Sequence, residues 1–193
     1  MKLAAITGSI GCGKTTLAEL VRELGYVVFD LDKWSRNLYR KPEYIQRVSE
    51  VFPSVMVGGF VDKKKLRQIV FGDEKQLQKL EAIAHPFLRD KLVKTIRKNH
   101  FSRDLFFMDA AILYEAGWDK YCDAVIVADV DYETQKHRVM ARDGISAEEF
   151  EKINNKQMSN KEKVLLADVV IETDKPLNVL KVELLSLIDD LRG

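Results

Sequence analysis

A short apolar run, Leu3 to Thr7, leads directly into GSIGCGKT, and helix-period sequence follows. The segment fits G-x-x-x-x-G-K-[ST], with Gly8, Gly13, Lys14 and Thr15 at the fixed positions. Glycines let the backbone curl so that successive N–H groups converge on an anion, and the following helix adds its positive end. Gly8, Gly11, Cys12, Gly13, Lys14, Thr15 and Thr16 are therefore expected to cradle the phosphates of a nucleoside triphosphate. Lys14 should reach the β- and γ-phosphates, the Thr15 hydroxyl a Mg²⁺ ion, and Thr16 the α-phosphate. A dinucleotide fingerprint fits poorly, because glycines at 11 and 13 would call for Gly or Ala where Thr16 stands.

Short apolar runs at Leu3–Thr7, Tyr26–Phe29, Leu105–Met108, Ala124–Ala128 and Val169–Ile171 lack clean alternation and are separated by helix-period sequence. They predict an α/β P-loop fold: a doubly wound, parallel, five-stranded sheet with helices on both faces. The second strand is expected beside the first. The long helical stretch after Asp30 predicts a substrate-covering insert, with a break near His85-Pro86 where proline interrupts a helix. A shorter charged stretch, Asp131 to Leu166, is a candidate lid. The expected division is a core at about 1–32, 104–130 and 167–193, an insert at about 33–103 and a lid at about 131–166. Lys63 to Lys65 read as a solvated helix start. Leu177, Leu180, Leu184, Leu187 and Leu191 mark a terminal helix packed on the sheet, with Pro176 in its first turn and Asp174 as a cap.

The use made of the nucleotide has to come from other residues. The nearest approach to a guanine-reading N-K-x-D is Asn160-Lys161-Glu162-Lys163, where lysine replaces the carboxylate, and no S-G-G-Q signature of transporter ATPases occurs. Kinase chemistry has positive support in VVFDLDKWSR. In an extended chain Asp30 and Asp32 would share one side, with Asp32 placed as general base for a substrate hydroxyl and Asp30 ordering water around the metal. Helix capping is the other reading of Asp32. Asp109, ending LFFMD, reads as a second metal-side acid. Arg138 and Arg142, four apart on one helix face, could close over the transferring phosphate, Arg138 toward the nucleotide and Arg142 in catalysis; a solvated helix face is the alternative. His137 reads as exposed. A helix N-terminus could lower the pKa of Cys12 and make it reactive. Lys14→Ala should impair transfer far more than folding if Lys14 lies on an exposed loop.

These residues together resemble the dephospho-coenzyme A kinase family. The likeness runs nearly end to end: ITGSIGCGKTT, DLD with Arg36 after it, VDKKKLRQIVF, LEAIAHP, ILYE, QKHRVMARDG, Gln157 and ADVVIETD. The resemblance implies ATP and 3′-dephospho-coenzyme A as substrates, with the γ-phosphoryl group going to the ribose 3′-hydroxyl. It implies Asp32 as catalytic base, Arg36 and His85 on the acceptor side, and a helical insert that holds the coenzyme A moiety. Arg138 and Arg142 match lid arginines, and Thr173 falls in a loop near adenine. The chain departs from the family pattern at Ala111, where proline is usual, at Thr173, where asparagine is frequent, and at Cys12, where serine is usual. A kinase for another small metabolite, or a nucleotide-dependent regulatory protein, are the alternatives.

The formal charge of +1 gives no general basis for nucleic-acid binding. MKLAAITG is too short an apolar start for a signal peptide, and no run approaches the roughly 20 residues of a membrane helix. Two distant cysteines suit a reducing compartment. A cytoplasmic monomer is expected.

Overall fold

The run KLAAIT, buried from Leu3 onward, forms strand β1 (Lys2–Thr7) in a computed structural model that describes residues 1–102 and 104–193. The chain divides into two units, Met1–Asp30 with Phe101–Gly193, and Leu31–His100. The expected end of the insert, residue 103, lies outside the described residues. After β1 the first unit continues with helix α1 (Lys14–Glu23) and strand β2 (Val28–Asp30). The second unit holds α2 (Leu31–Leu38), α3 (Pro42–Val51), a small hairpin of β3 (Met56–Val57) and β4 (Phe60–Val61), α4 (Lys63–Phe71) and α5 (Glu74–Asn99). The first unit resumes with β5 (Leu105–Asp109), β6 (Ala124–Asp129), α6 (Tyr132–Asp143), α7 (Ala147–Asn154), α8 (Asn160–Leu166), β7 (Val169–Glu172) and α9 (Leu177–Arg192).

All five larger strands are parallel, in the order β2-β5-β1-β6-β7. The three inner strands are buried almost throughout, which is why their sequences lack alternation. The edge strand β7 alternates between exposed and buried positions. One correction follows: β2 does not neighbour β1, because β5 lies between them. A long excursion separates β2 from β5, and adjacency in sequence then says little about adjacency in the sheet. The second strand also starts at Val28 instead of Tyr26, whose N–H closes the end of α1 on Val21 O at 3.2 Å.

α1 and α9 cover one face of the sheet. Leu17, Ala18, Leu20 and Val21 of α1 and Leu180, Leu184 and Ile188 of α9 share one cluster with Ala4, Ile6, Phe107, Ile126 and Ala128. The spacing of these side chains is the helical repeat that the leucine pattern predicted, and each fully buried one contributes about 1.5–3 kcal/mol. Leu3, Ala5, Met108, Val125 and Val127 alternate with the clustered residues and are buried too, so the opposite face is also covered. Pro176 stands one residue ahead of α9 as its N-cap, without a side-chain cap; Asp174 accepts from Arg138 instead.

In the second unit, α2, α3 and α4 each pack on α5. Asp62 caps α4 through the N–H groups of Lys64 and Lys65, and Lys63 to Lys65 are exposed, as a solvated helix start requires. Pro86 does not break α5, which runs unbroken from Glu74 to Asn99. The bond that proline removes would end on the carbonyl of Ala82. Both Ala82 and Pro86 are exposed, so water can take that carbonyl. Among the described residues, no helix is long and apolar enough to cross a membrane.

Candidate active site

The turn from Gly8 to Gly13 leaves the C-terminal end of β1, the middle strand, and delivers the chain into α1. Gly13, at φ 88°, is the N-cap of α1 and offers no side-chain cap. The first bond of the helical ladder runs from Leu17 N to Gly13 O at 3.1 Å, so the amides of Lys14, Thr15 and Thr16 precede it. An uncapped, glycine-led helix start of this kind favours an anion. Two glycines are also fixed by close approach. A Cβ on Gly11 would lie 2.5 Å from Val139 Cγ2, and one on Gly13 would lie 2.6 Å from Thr173 Oγ1. The cradle is thus packed from outside by α6 and by the segment after β7.

Charge gathers at the same edge. Asp109 ends β5, in register with Ile6 on one side and with Asp30 on the other. Its carboxylate is 5 % exposed and forms an ion pair with Lys14, while Arg22 lies 4.0 Å from its other oxygen. Lys14 is therefore not on an exposed loop: its side chain is 12 % exposed and tied to a buried acid. Thr15 is exposed in the first turn of α1.

Arg138 reaches the loop after β7, donating to Thr173 Oγ1 at 3.0 Å, Thr173 O at 3.2 Å and Asp174 Oδ1 at 3.0 Å. The Thr173 hydroxyl in turn donates to Cys12 O at 2.9 Å, which links Arg138 to the cradle through one side chain. Arg142 is not brought there. It makes a two-pronged pair with Asp143, both distances 2.8 Å, at the exposed end of α6.

Cys12 corrects the expectation of a reactive thiol. Its side chain is buried among Leu17, Ile126 and Ala128, and burial, reinforced by the Asp129 carboxylate, pushes the thiol up to about 12 from an ordinary 9.0. Only its backbone belongs to the cradle. We expect iodoacetamide at pH 8 to modify Cys12 in the folded protein far more slowly than in urea, with or without nucleotide, as read by mass spectrometry. Rapid native labelling blocked by nucleotide would contradict this. The folded protein retains this proton at a pH where the unfolded chain gives it up, so the thiol costs stability as pH climbs from about 9 toward 12.

In the second unit, Asp32 and Arg36 lie four apart on α2, and His85 lies on α5. The extended geometry expected for Asp30 and Asp32 is not found. Asp30 is the last strand residue and Leu31, 2 % exposed, already begins α2, so Asp32 sits in a first helical turn where a carboxylate suits the helix dipole. Trp34 of α2 and Lys91 of α5 meet in a cation–π contact of 4.2 Å.

A second group of polar residues surrounds the cradle; Gln135 and Gln157 fall in stretches that carry the resemblance, but the sequence gives them no role at the turn. Gln135 Nε2 donates to Ile10 O at 2.7 Å, and Gln157 Oε1 accepts from Ile10 N at 3.3 Å. Ser9 donates its hydroxyl to Met158 O at 3.1 Å and its N–H to Asn160 Oδ1 at 2.9 Å. Lys163, with no exposed surface, donates to Ala111 O at 2.6 Å and lies 3.0 Å from Glu115. The available signal was S-N-K-E at 159–162, a capping box that starts α8 and thereby sets Asn160.

Residues 2–178 match the family model described as dephospho-CoA kinase. A dephospho-CoA kinase of Aquifex aeolicus is 43 % identical over 175 residues, covering 89 % of this chain and 88 % of the relative. The crystal structure of TT1252 from Thermus thermophilus superposes with a TM-score of 0.85 at 33 % identity, covering 100 % of this chain and 98 % of the other. A Campylobacter jejuni dephospho-CoA kinase structure shares the fold at TM-score 0.72 and 24 % identity, with 100 % and 98 % covered.

Proposed function

The chain belongs to the dephospho-CoA kinase family, and on that footing we propose how its residues divide the work. The enzyme catalyses ATP-dependent phosphorylation of dephospho-CoA, the final step of coenzyme A biosynthesis. The acceptor atom is the ribose 3′-hydroxyl. The observation that carries this reading is the uncapped start of α1 on the middle strand, with Lys14 and Asp109 paired beside it.

On nucleotide binding, Lys14 turns from Asp109 to the β- and γ-phosphate oxygens, while the inner amides of the turn hold the remaining charge. The donor set fits magnesium, which takes one or two protein oxygens and completes its shell with phosphate and water; Asp109 and Thr15 would provide the hard oxygens on either side of Lys14. Such an ion neutralises charge developing on the phosphate oxygens. Asp32 accepts the proton of the attacking hydroxyl, and Arg36 and His85 orient the acceptor on the helical insert. Arg138, already tied to the cradle through Thr173, serves the nucleotide. Arg142 serves the transferring group once it leaves Asp143, within a lid spanning about 131–166. We read the protein as a cytoplasmic monomer; its two free cysteines fit a reducing compartment.

The direct test is ADP release from ATP with and without dephospho-CoA. We expect release to be strongly acceptor-dependent and coupled one-to-one to coenzyme A formation by mass spectrometry. Release indifferent to the acceptor would favour a nucleotide-dependent regulatory protein, and stimulation by another alcohol alone a different small-metabolite kinase.

A further inference from the structure

Asn160 spends its side chain on three groups, one in the phosphate turn and two at the end of β6. Its Oδ1 accepts from Ser9 N at 2.9 Å, and its Nδ2 donates to Ala128 O at 3.2 Å and to Asp129 Oδ1 at 2.6 Å. The orientation follows from the partners, since an N–H requires the oxygen and a carbonyl and a carboxylate require the nitrogen. Ser9 belongs to the outer limb of the phosphate turn, and Ala128 and Asp129 end the adjacent strand β6. The amide therefore fixes the distance between that limb and the strand beside β1. Gln157 and Gln135 hold the next residue, Ile10, by both its N–H and its carbonyl. With Ser9 and Ile10 bound from outside, the turn cannot flatten, and its remaining amides keep their inward course.

We propose that Asn160 is a positioning residue for phosphoryl transfer, bracing the outer limb of the phosphate turn against the end of β6. It touches neither substrate and acts through Ser9. The inference rests on the kinase reading above, because it assigns the turn to ATP.

A pH-dependent variant separates bracing from simple packing. Asn160→Asp keeps an oxygen for Ser9 N but loses the donor, and sets a second carboxyl against Asp129. Two carboxyls at hydrogen-bond distance share one proton, and that proton restores the bond to Asp129, one of the two that Asn160 donates. Lys163 lies one turn along α8, Glu172 is in register with Asp129 across β6 and β7, and Asp129, Lys163 and Arg138 all act on the buried Cys12 thiol, which stays neutral up to about 12.

At pH 8 we expect Asn160→Asp to bind ATP more weakly and to lose roughly 10- to 100-fold in kcat/KM for ATP. KM for dephospho-CoA at saturating ATP should be unchanged. As pH falls toward 5.5 the deficit relative to wild type should shrink. Asn160→Leu, which can neither accept nor donate, should show a loss with no such recovery. ATP affinity is measured directly by calorimetry as well as kinetically. A wild-type protein that binds ATP without phosphorylating dephospho-CoA would then defeat the kinase reading, while the binding data still decide the role of Asn160. Wild-type ATP affinity in Asn160→Asp at pH 8, or an unchanging deficit across pH, would overturn the proposal. Should Asn160→Leu fail to fold, the near-isosteric Asn160→Asp decides alone.

Discussion

Asp32→Asn is expected to lower kcat by roughly 10²- to 10⁴-fold, the range associated with losing a positioned general base. The substitution keeps size and hydrogen-bonding shape but cannot hold a proton from the ribose hydroxyl. ATP affinity should be close to wild type, because the proposed grip on the phosphates belongs to the turn and Lys14. Folding should also change little: Asp32 is half-buried in the first turn of α2, and the amide keeps the size and shape of the side chain there. The decisive measurement is single-turnover transfer at saturating ATP and dephospho-CoA. Turnover equal to wild type would remove Asp32 from the mechanism and leave it as a helix-start residue.

Lys14→Ala should lower phosphoryl transfer by at least about 10²- to 10³-fold, as removal of one charge-stabilising donor does. Its second effect comes from the ion pair with Asp109, which makes this more than a loop substitution. Asp109 is 5 % exposed and loses its nearest cation, with Arg22 remaining at 4.0 Å. Stability should fall by about 1 to 3 kcal/mol, measured by urea denaturation at pH 7. Adding Asp109→Asn to Lys14→Ala should recover much of that loss and none of the activity. A single variant as stable as wild type would mean that the pair contributes nothing to the fold, and a double variant with restored turnover would contradict the role given to Lys14.

The parts of this molecule that were legible in the sequence were those set by local chemistry. The phosphate turn is written in eight consecutive residues, and inner strands reveal themselves because burial on both faces demands unbroken apolar runs. Strand order was less accessible, since β2 and β5 pair across an excursion that carries no directional signal. Asp32 was misread as extended because a helix beginning one residue after a strand leaves no separating turn to announce it. Pro86 misled because the cost of an interior proline depends on exposure, which local sequence does not reveal. The braces on Ser9 and Ile10 were hidden for a different reason. The Ser9–Asn160 bond joins residues 151 apart, and the segment around Asn160 has as its nearest motif an incomplete guanine reader.

The excursion between β6 and β7 has a mechanical consequence. Gln135 and Val139 press on the turn at one end, and Gln157, Asn160 and Lys163 are anchored at the other. It is an arch with both feet bolted to the machinery it spans, and its crown is the stretch around the left-handed Gly144. A load applied at that crown passes into the footings, and so into the turn from Gly8 to Gly13.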